Sequence, residues 1–194
     1  GAQNVGPNVD AGTPEMADNR FENNRVGVSF GAASADQISI ARNTFADNRL
    51  DGLQGGIQNS SIDGNTFSGN GRYGLLLTSF GDSDPGAGAQ NDTITSNCFS
   101  TNGLGLACAG GTNDGAPCAT NAECTGGGSC TAALAGAGIF YSDAQAAGTI
   151  STNSASDNNL YGNYVGASYA GGETIDAENN WWGCATGANT AGCD

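Results

Sequence analysis

Histidine and lysine are absent from this 194-residue chain, and its five basic residues are all arginine: Arg20, Arg25, Arg42, Arg49 and Arg72. Without histidine there is no Ser-His or Cys-His catalysis unless another chain supplies the imidazole. Without lysine, and at a formal net charge of −14, no basic face can be assembled to displace the counterions of a nucleic acid. An anionic membrane surface is disfavoured for the same reason, and no apolar run approaches membrane-spanning length. Leu, Glu, Lys and Arg, the residues of long amphipathic helices, are scarce. Charged residues reach only 12%, which argues against disorder of the charge-repelling kind.

Glycine (33 residues), Asn, Ser, Thr and Ala fill the space instead, a composition of turns and short strands. One phrase recurs within it: Ile, two residues, Asn, one residue, Phe, two residues, Asn, then Gly. It reads Ile40, Asn43, Phe45, Asn48, Gly52, then Ile62, Asn65, Phe67, Asn70, Gly74, then Ile94, Asn97, Phe99, Asn102, Gly105. An earlier copy is Asn19, Phe21, Asn24, Gly27, and a worn one is Ile150, Asn153, Ala155, Asn158, Gly162. A last turn runs from Ile175 through Asn179 and Asn180 to Trp181, Trp182 and Gly183. The spacing is 24 and then 22 residues where nothing is inserted, the period of a solenoid with about six coils.

Ile and Phe flank the first Asn on short stretches whose alternate residues can face one interior. Ile40, Ile62, Ile94 and Ile150 are expected to stack inside, with Phe21, Phe45, Phe67 and Phe99 as a second stack. Asn tolerates the left-handed backbone of a tight corner. Stacked coils would set Asn19, Asn43, Asn65, Asn97 and Asn153 above one another as an amide ladder, with steps of roughly 4.8 Å.

The phrase resembles the parallel β-helix repeat of pectate-lyase-like and NosD-like proteins, over roughly Ala17 to Gly183, and the ending Ile175–Gly183 is similar to their closing coil. The resemblance implies an all-β, right-handed parallel β-helix. It says little of function, because that solenoid carries lyases, hydrolases, adhesins and structural proteins. Lyases of this kind use an Arg or Lys base with calcium. Here lysine is missing, the arginines sit beside Asn corners, and an acidic surface would repel polygalacturonate. Hydrolysis needs two carboxylates, for which Asp36, Asp51, Asp63, Asp82, Asp84, Asp92, Asp143 and Asp176 are candidates without a closely spaced pair motif. Thr93-Ile94-Thr95 is a lone tripeptide of the ice-binding kind.

Residues 1–16 lack the repeat and read as an N-terminal arm or cap, 17–183 as the solenoid, and 184–194 as a tail. The start at Gly1 rather than Met is what removal of a signal peptide would leave, and a chain trimmed in any other way would look identical. Asp82 and Asp84 are weak candidates for calcium, since a full site needs six or more oxygens. No other cofactor is expected.

The seven cysteines cluster in polar loops without a C-x-x-C pair, which points to disulfides and an oxidising, extracellular setting. The insertion at 107–131 holds Cys108, Cys118, Cys124 and Cys130, and resembles small cysteine loops of secreted bacterial proteins. Of its three connectivities, Cys108–Cys130 closing the base with Cys118–Cys124 inside is expected. Cys184 and Cys193 are expected to pin the tail. Cys98 is left over, in the slot also assigned to Thr44, Thr66 and Ser154. It should point outward, either as an intermolecular thiol or as an inert, partly buried one. The expected function is a secreted structural subunit that self-associates into a filament. The alternative is a glycan-binding or glycan-cleaving solenoid using Tyr73, Phe80, Tyr141, Tyr161, Tyr164 or Tyr169.

Overall fold

A computed structural model describes residues 3–4, 14–30, 35–78, 89–134, 136–142, 154–170 and 176–183. Within them the chain winds through three parallel sheets in a fixed order. Sheet one holds Glu15–Ala17, Ser39–Ala41, Ser61–Asp63, Thr93–Thr95 and Ser154–Ser156. Sheet two holds Arg20–Glu22, Thr44–Ala46, Thr66–Ser68, Cys98–Ser100 and Asn159–Tyr161. Sheet three has six strands: Gln3–Asn4, Val28–Ser29, Leu53–Gly55, Tyr73–Thr78, Ala137–Ser142 and Ala167–Ala170. Isolated bridges from Asp176 to Ser154 and from Trp181 to Asn159 begin a further coil on sheets one and two. Among the described residues no helix is long and apolar enough to cross a membrane.

Strands of two to six residues cannot bury an apolar face alone, so each coil is covered by its neighbours. In sheet one, Met16, Ile40, Ile62, Ile94 and Ala155 align in register. In sheet two, Phe21, Phe45, Phe67 and Phe99 stack with ring centroids 5.3, 4.8 and 4.7 Å apart, and Leu160 continues the row. The separation settles at the coil rise of roughly 4.8 Å, so the rings repeat the backbone spacing without adjustment. Sheet three adds Val28, Leu53, Leu75 and Ile139. The Gly that opens this sheet is fixed by close approach: a Cβ on Gly52 would lie 2.6 Å from the Gly74 carbonyl oxygen, and one on Gly74 2.7 Å from that of Gly138.

Three readings of the repeat need correction. The left-handed corner residue is the one before the ladder asparagine: Asp18, Arg42, Gly64, Ser96, Asp157 and Asn179 have φ of 55–62°. The ladder asparagines are instead held by their amide bonds to the adjacent coils. The worn copy is displaced by five residues, because Ile94 pairs with Ala155 and Phe99 with Leu160. Ile150 and Asn153 lie outside the described residues, and Ala155 and Asn158 fill the positions assigned to them. Gly105 leaves the Gly row because the insertion follows it. Gly138 takes the place over Gly74, while Gly105 donates to the Gly71 carbonyl at 2.9 Å.

The first coil begins at Glu15, inside the segment read as an arm or cap, and Gln3–Asn4 pairs in parallel with Val28–Ser29 of its own chain. The insertion is a small antiparallel sheet of Pro117–Cys118, Leu106–Ala109 and Ser129–Ala133. Its disulfides are Cys108–Cys124 and Cys118–Cys130, not the nested pairing expected from the sequence. Cys108 and Cys130 are opposite in backbone register. The short turns Asn121–Glu123 and Thr125–Gly127 carry Cys124 back to Cys108, with Cα atoms 5.4 Å apart. Spacing along the chain does not reveal that fold-back.

Candidate functional site

The amide ladder runs the height of the solenoid and has a direction. Each Nδ2 donates to the Oδ1 of the next coil: Asn19 to Asn43 and Asn43 to Asn65 at 3.1 Å, then Asn65 to Asn97, Asn97 to Asn158 and Asn158 to Asn180 at 3.0 Å. Each Nδ2 also donates to backbone carbonyls, as Asn65 does to Ile40 O at 2.8 Å and Asp63 O at 3.1 Å. A second ladder, at the corner after sheet two, links Asn48, Asn70, Asn102 and Asn163 at 2.9 Å per step. Interior members are almost wholly buried, so their full set of bonds is what makes burial tolerable.

The polarity leaves unlike ends. No described residue donates to Asn19 Oδ1 at the N-terminal end. At the C-terminal end, Asn180 Nδ2 reaches Ala155 O at 2.7 Å and Ala177 O at 2.8 Å, and among the described residues it meets no further ladder asparagine. The sheets are offset to match. Gln3–Asn4 projects sheet three one strand beyond the other two at the N-terminal end, and Asp176 and Trp181 carry sheets one and two past Ala167–Ala170 at the other. Met16 and Phe21 lie half-buried at one end and Trp182 at the other.

The last coils also hold the exposed aromatic surface. Tyr161, Tyr164 and Trp181 are 46%, 53% and 50% exposed, whereas Tyr141 is buried in the core. Trp181 follows Asn159 in the outward row of sheet two, and Tyr161 stands two residues along the same strand. Cys98 lies in that row between Thr66 and Asn159, where Ser154 had been expected. It is a half-buried free thiol, with Sγ 3.8 Å from Tyr161 Oη. Tyr73 is half-buried on sheet three, its ring stacked on Phe140 at 4.5 Å. Tyr169 packs edge-on against Tyr141.

The described carboxylates among the sequence candidates for hydrolysis engage their own surroundings. Asp51 binds Arg72, Asp36 accepts from Asn59 Nδ2 at 2.8 Å, and Asp63 accepts from Thr95 Oγ1 at 2.9 Å. Asp92 accepts from Ser60 N at 3.0 Å, and burial pushes its carboxyl up to about 8. Asp82, Asp84, Asp143, Phe80, Cys184 and Cys193 lie outside the described residues. Three cysteine sulfurs of the insertion, from Cys108, Cys118 and Cys124, approach one another within 4.8 Å, but each is already in a disulfide and offers no thiolate to a metal.

Sequence reasoning identified the first ladder but placed its fifth member wrongly, and did not single out Asn180, Trp181 and Trp182 as the last described members of their rows. Offset strand counts could not be read from the repeat, because Gln3–Asn4 carries no copy of the phrase.

No curated protein and no solved structure matches the chain. The right-handed beta helix region family matches residues 10–182, close to the whole length, with the three parallel sheets following as that match requires. The chain is a member of the right-handed β-helix family.

Proposed function

We propose that this chain is a secreted structural subunit that stacks head to tail into an extracellular filament. The offset of the two ends carries the reading. A second copy placed on the C-terminal end would set its Gln3–Asn4 beside Ala167–Ala170, completing the coil that Asp176 and Trp181 begin. Its Glu15–Ala17 and Arg20–Glu22 would then follow in register, with Asn19 Oδ1 over Asn180 Nδ2 and Phe21 over Trp182. Every new bond repeats one already made inside the solenoid, and the backbone edges at both ends are satisfied. Such a contact is heterologous and does not close, so the assembly grows without limit. The pairing of Gln3–Asn4 within its own chain favours end stacking over exchange of a free arm. Disulfides in the insertion suit an oxidising compartment.

Copies carrying −14 repel one another, so assembly should strengthen with ionic strength. Negative-stain imaging of the full chain over a range of concentration and salt tests the reading. Filaments with an axial repeat of about 29 Å, six coils of roughly 4.8 Å, are expected. Monomers under all conditions would overturn it.

The exposed aromatics favour a second reading, a surface that stacks neutral sugar rings on Trp181, Tyr161 and Tyr164. The acid surface disfavours anionic glycans. Quenching of tryptophan fluorescence by neutral oligosaccharides, lost in Trp181→Ala, would support it, and unchanged fluorescence would remove it.

A further inference from the structure

A groove of about 360 Å3 opens where the corner after sheet two meets the disulfide-bonded insertion, lined by Asn23, Asn24, Arg25, Asp47, Arg49 and Ala119. Both of its walls are held in place. On the solenoid side, Asn23 and Asp47 occupy the left-handed corner of successive coils, with φ of 57° and 52°. Their amides donate to the coil above, to Ala46 O at 3.2 Å and Ser68 O at 2.9 Å. On the other side, the Arg49 guanidinium pairs with Glu123 and donates to Pro117 O at 3.2 Å. Glu123 Oε2 in turn accepts from Ala119 N at 3.1 Å, so one ion pair both ties the insertion to the solenoid and positions that wall.

The groove is lined by two arginines and one aspartate, and Arg49 is already paired with Glu123. Arg20, Arg42, Arg49 and Arg72 each hold a carboxylate of this chain: Glu22, Asp18, Glu123 and Asp51. Among the described residues Arg25 holds none, and the Asp47 carboxylate holds no arginine. The two line one groove without closing on each other. An uncommitted guanidinium and an uncommitted carboxylate on the same groove form the complement of a dipolar ligand. A polyanion would meet the field of a −14 chain, and a simple cation would meet Arg25.

We propose that this groove binds a zwitterionic α-amino acid, with the ligand carboxylate on Arg25 and its ammonium on Asp47. Guanidinium matches carboxylate in a planar two-bond fork, and an ammonium directs its donors to a carboxylate. The Asn23 amide, which no ladder uses, offers a further donor and acceptor. The backbone carrying Asn23 and Asp47 and the Arg49–Glu123 wall are in place before the ligand arrives, and the exposed Arg25 and Asp47 side chains order on binding. The proposal does not rest on head-to-tail assembly, although Asn23 and Arg25 belong to the first coil.

Isothermal titration of the full, disulfide-intact chain with L-alanine tests the proposal, with acetate and methylammonium as single-charge probes. Alanine is expected to bind saturably at one site, and each single-charge probe at least about tenfold more weakly. Arg25→Gln and Asp47→Asn should each weaken alanine about tenfold or more with circular dichroism unchanged, since both side chains are exposed. Absence of saturable alanine binding overturns the proposal. So does acetate binding as tightly as alanine, or either substitution leaving the affinity intact.

Discussion

Arg72 grips Asp51 of the preceding coil through two parallel hydrogen bonds, Nε to Oδ1 at 3.0 Å and Nη2 to Oδ2 at 2.6 Å. The Asp51 carboxylate is fully buried and the Arg72 side chain 33% exposed. The guanidinium also lies 4.9 Å from the centroid of the Tyr73 ring. The bond to Asp51 holds the Arg72 pKa above its ordinary value, against the opposing effect of burial. Asp51→Ala should therefore cost about 3 kcal/mol, mostly by leaving Arg72 without its acceptor. The double variant Asp51→Ala/Arg72→Met should recover part of that loss in urea unfolding. Simple additivity would show that the pair is not coupled.

The ladder predicts a gradient along the rod. Asn65 makes amide bonds to both neighbouring coils and is buried, whereas Asn19 is exposed and bonded on one side only. Asn65→Ala strands several buried backbone and amide groups and should cost about 3 kcal/mol. Asn19→Ala should cost about 1 kcal/mol or less. Equal losses in thermal or urea unfolding would mean that the ladder is not what stabilises the interior coils.

Much of this architecture could be read from the sequence because Ile, Asn and Phe recur at positions whose contacts repeat from coil to coil. The reading failed where a small residue took a large one's place. Ile150-x-x-Asn153-x-Ala155-x-x-Asn158 imitates the phrase, yet Ala155 is the interior residue and Leu160 and Asn163 complete it. Only the neighbouring coil decides between the two registers, through what lies above Ile94 and Phe99. The groove was harder to foresee. Arg49 and Glu123 are 74 residues apart, and their meeting depends on how the insertion folds back.

Asp92 reverses the usual carboxylate effect on stability. Burial raises it from 3.8 to about 8, partly offset by the hydrogen bond from Ser60 N. Between those values the unfolded chain releases the proton while the folded chain keeps it. The folded state then binds more protons, so this group makes stability fall as pH rises from about 4 to about 8. The slope is at most about 1.4 kcal/mol per pH unit. Asn at this position keeps the acceptor for Ser60 and cannot ionise. Asp92→Asn should match the parent near pH 4 and exceed it at pH 8 in urea unfolding. Parallel pH profiles would show that Asp92 ionises at no cost in the folded chain.

The insertion should unfold separately from the solenoid. Its four bonded cysteines form their own buried cluster, distinct from the core of stacked Ile, Leu and Phe. Its outer loops are rich in Gly, Thr and Asn and bury almost nothing else, so crosslinks supply the stability that apolar burial does not. Each disulfide closes a loop of about 15 residues, worth about 3 kcal/mol in the chain-entropy account. Replacing Cys118 and Cys130 by Ser should raise amide exchange across residues 108–130. The amides of Ile40, Ile62 and Ile94, deep in the parallel sheets, should stay protected. Arg49 would lose the ordered partner that Glu123 provides, so alanine binding in the groove should fall with the insertion's protection. Loss of protection throughout the solenoid would show instead that the insertion is part of one cooperative unit.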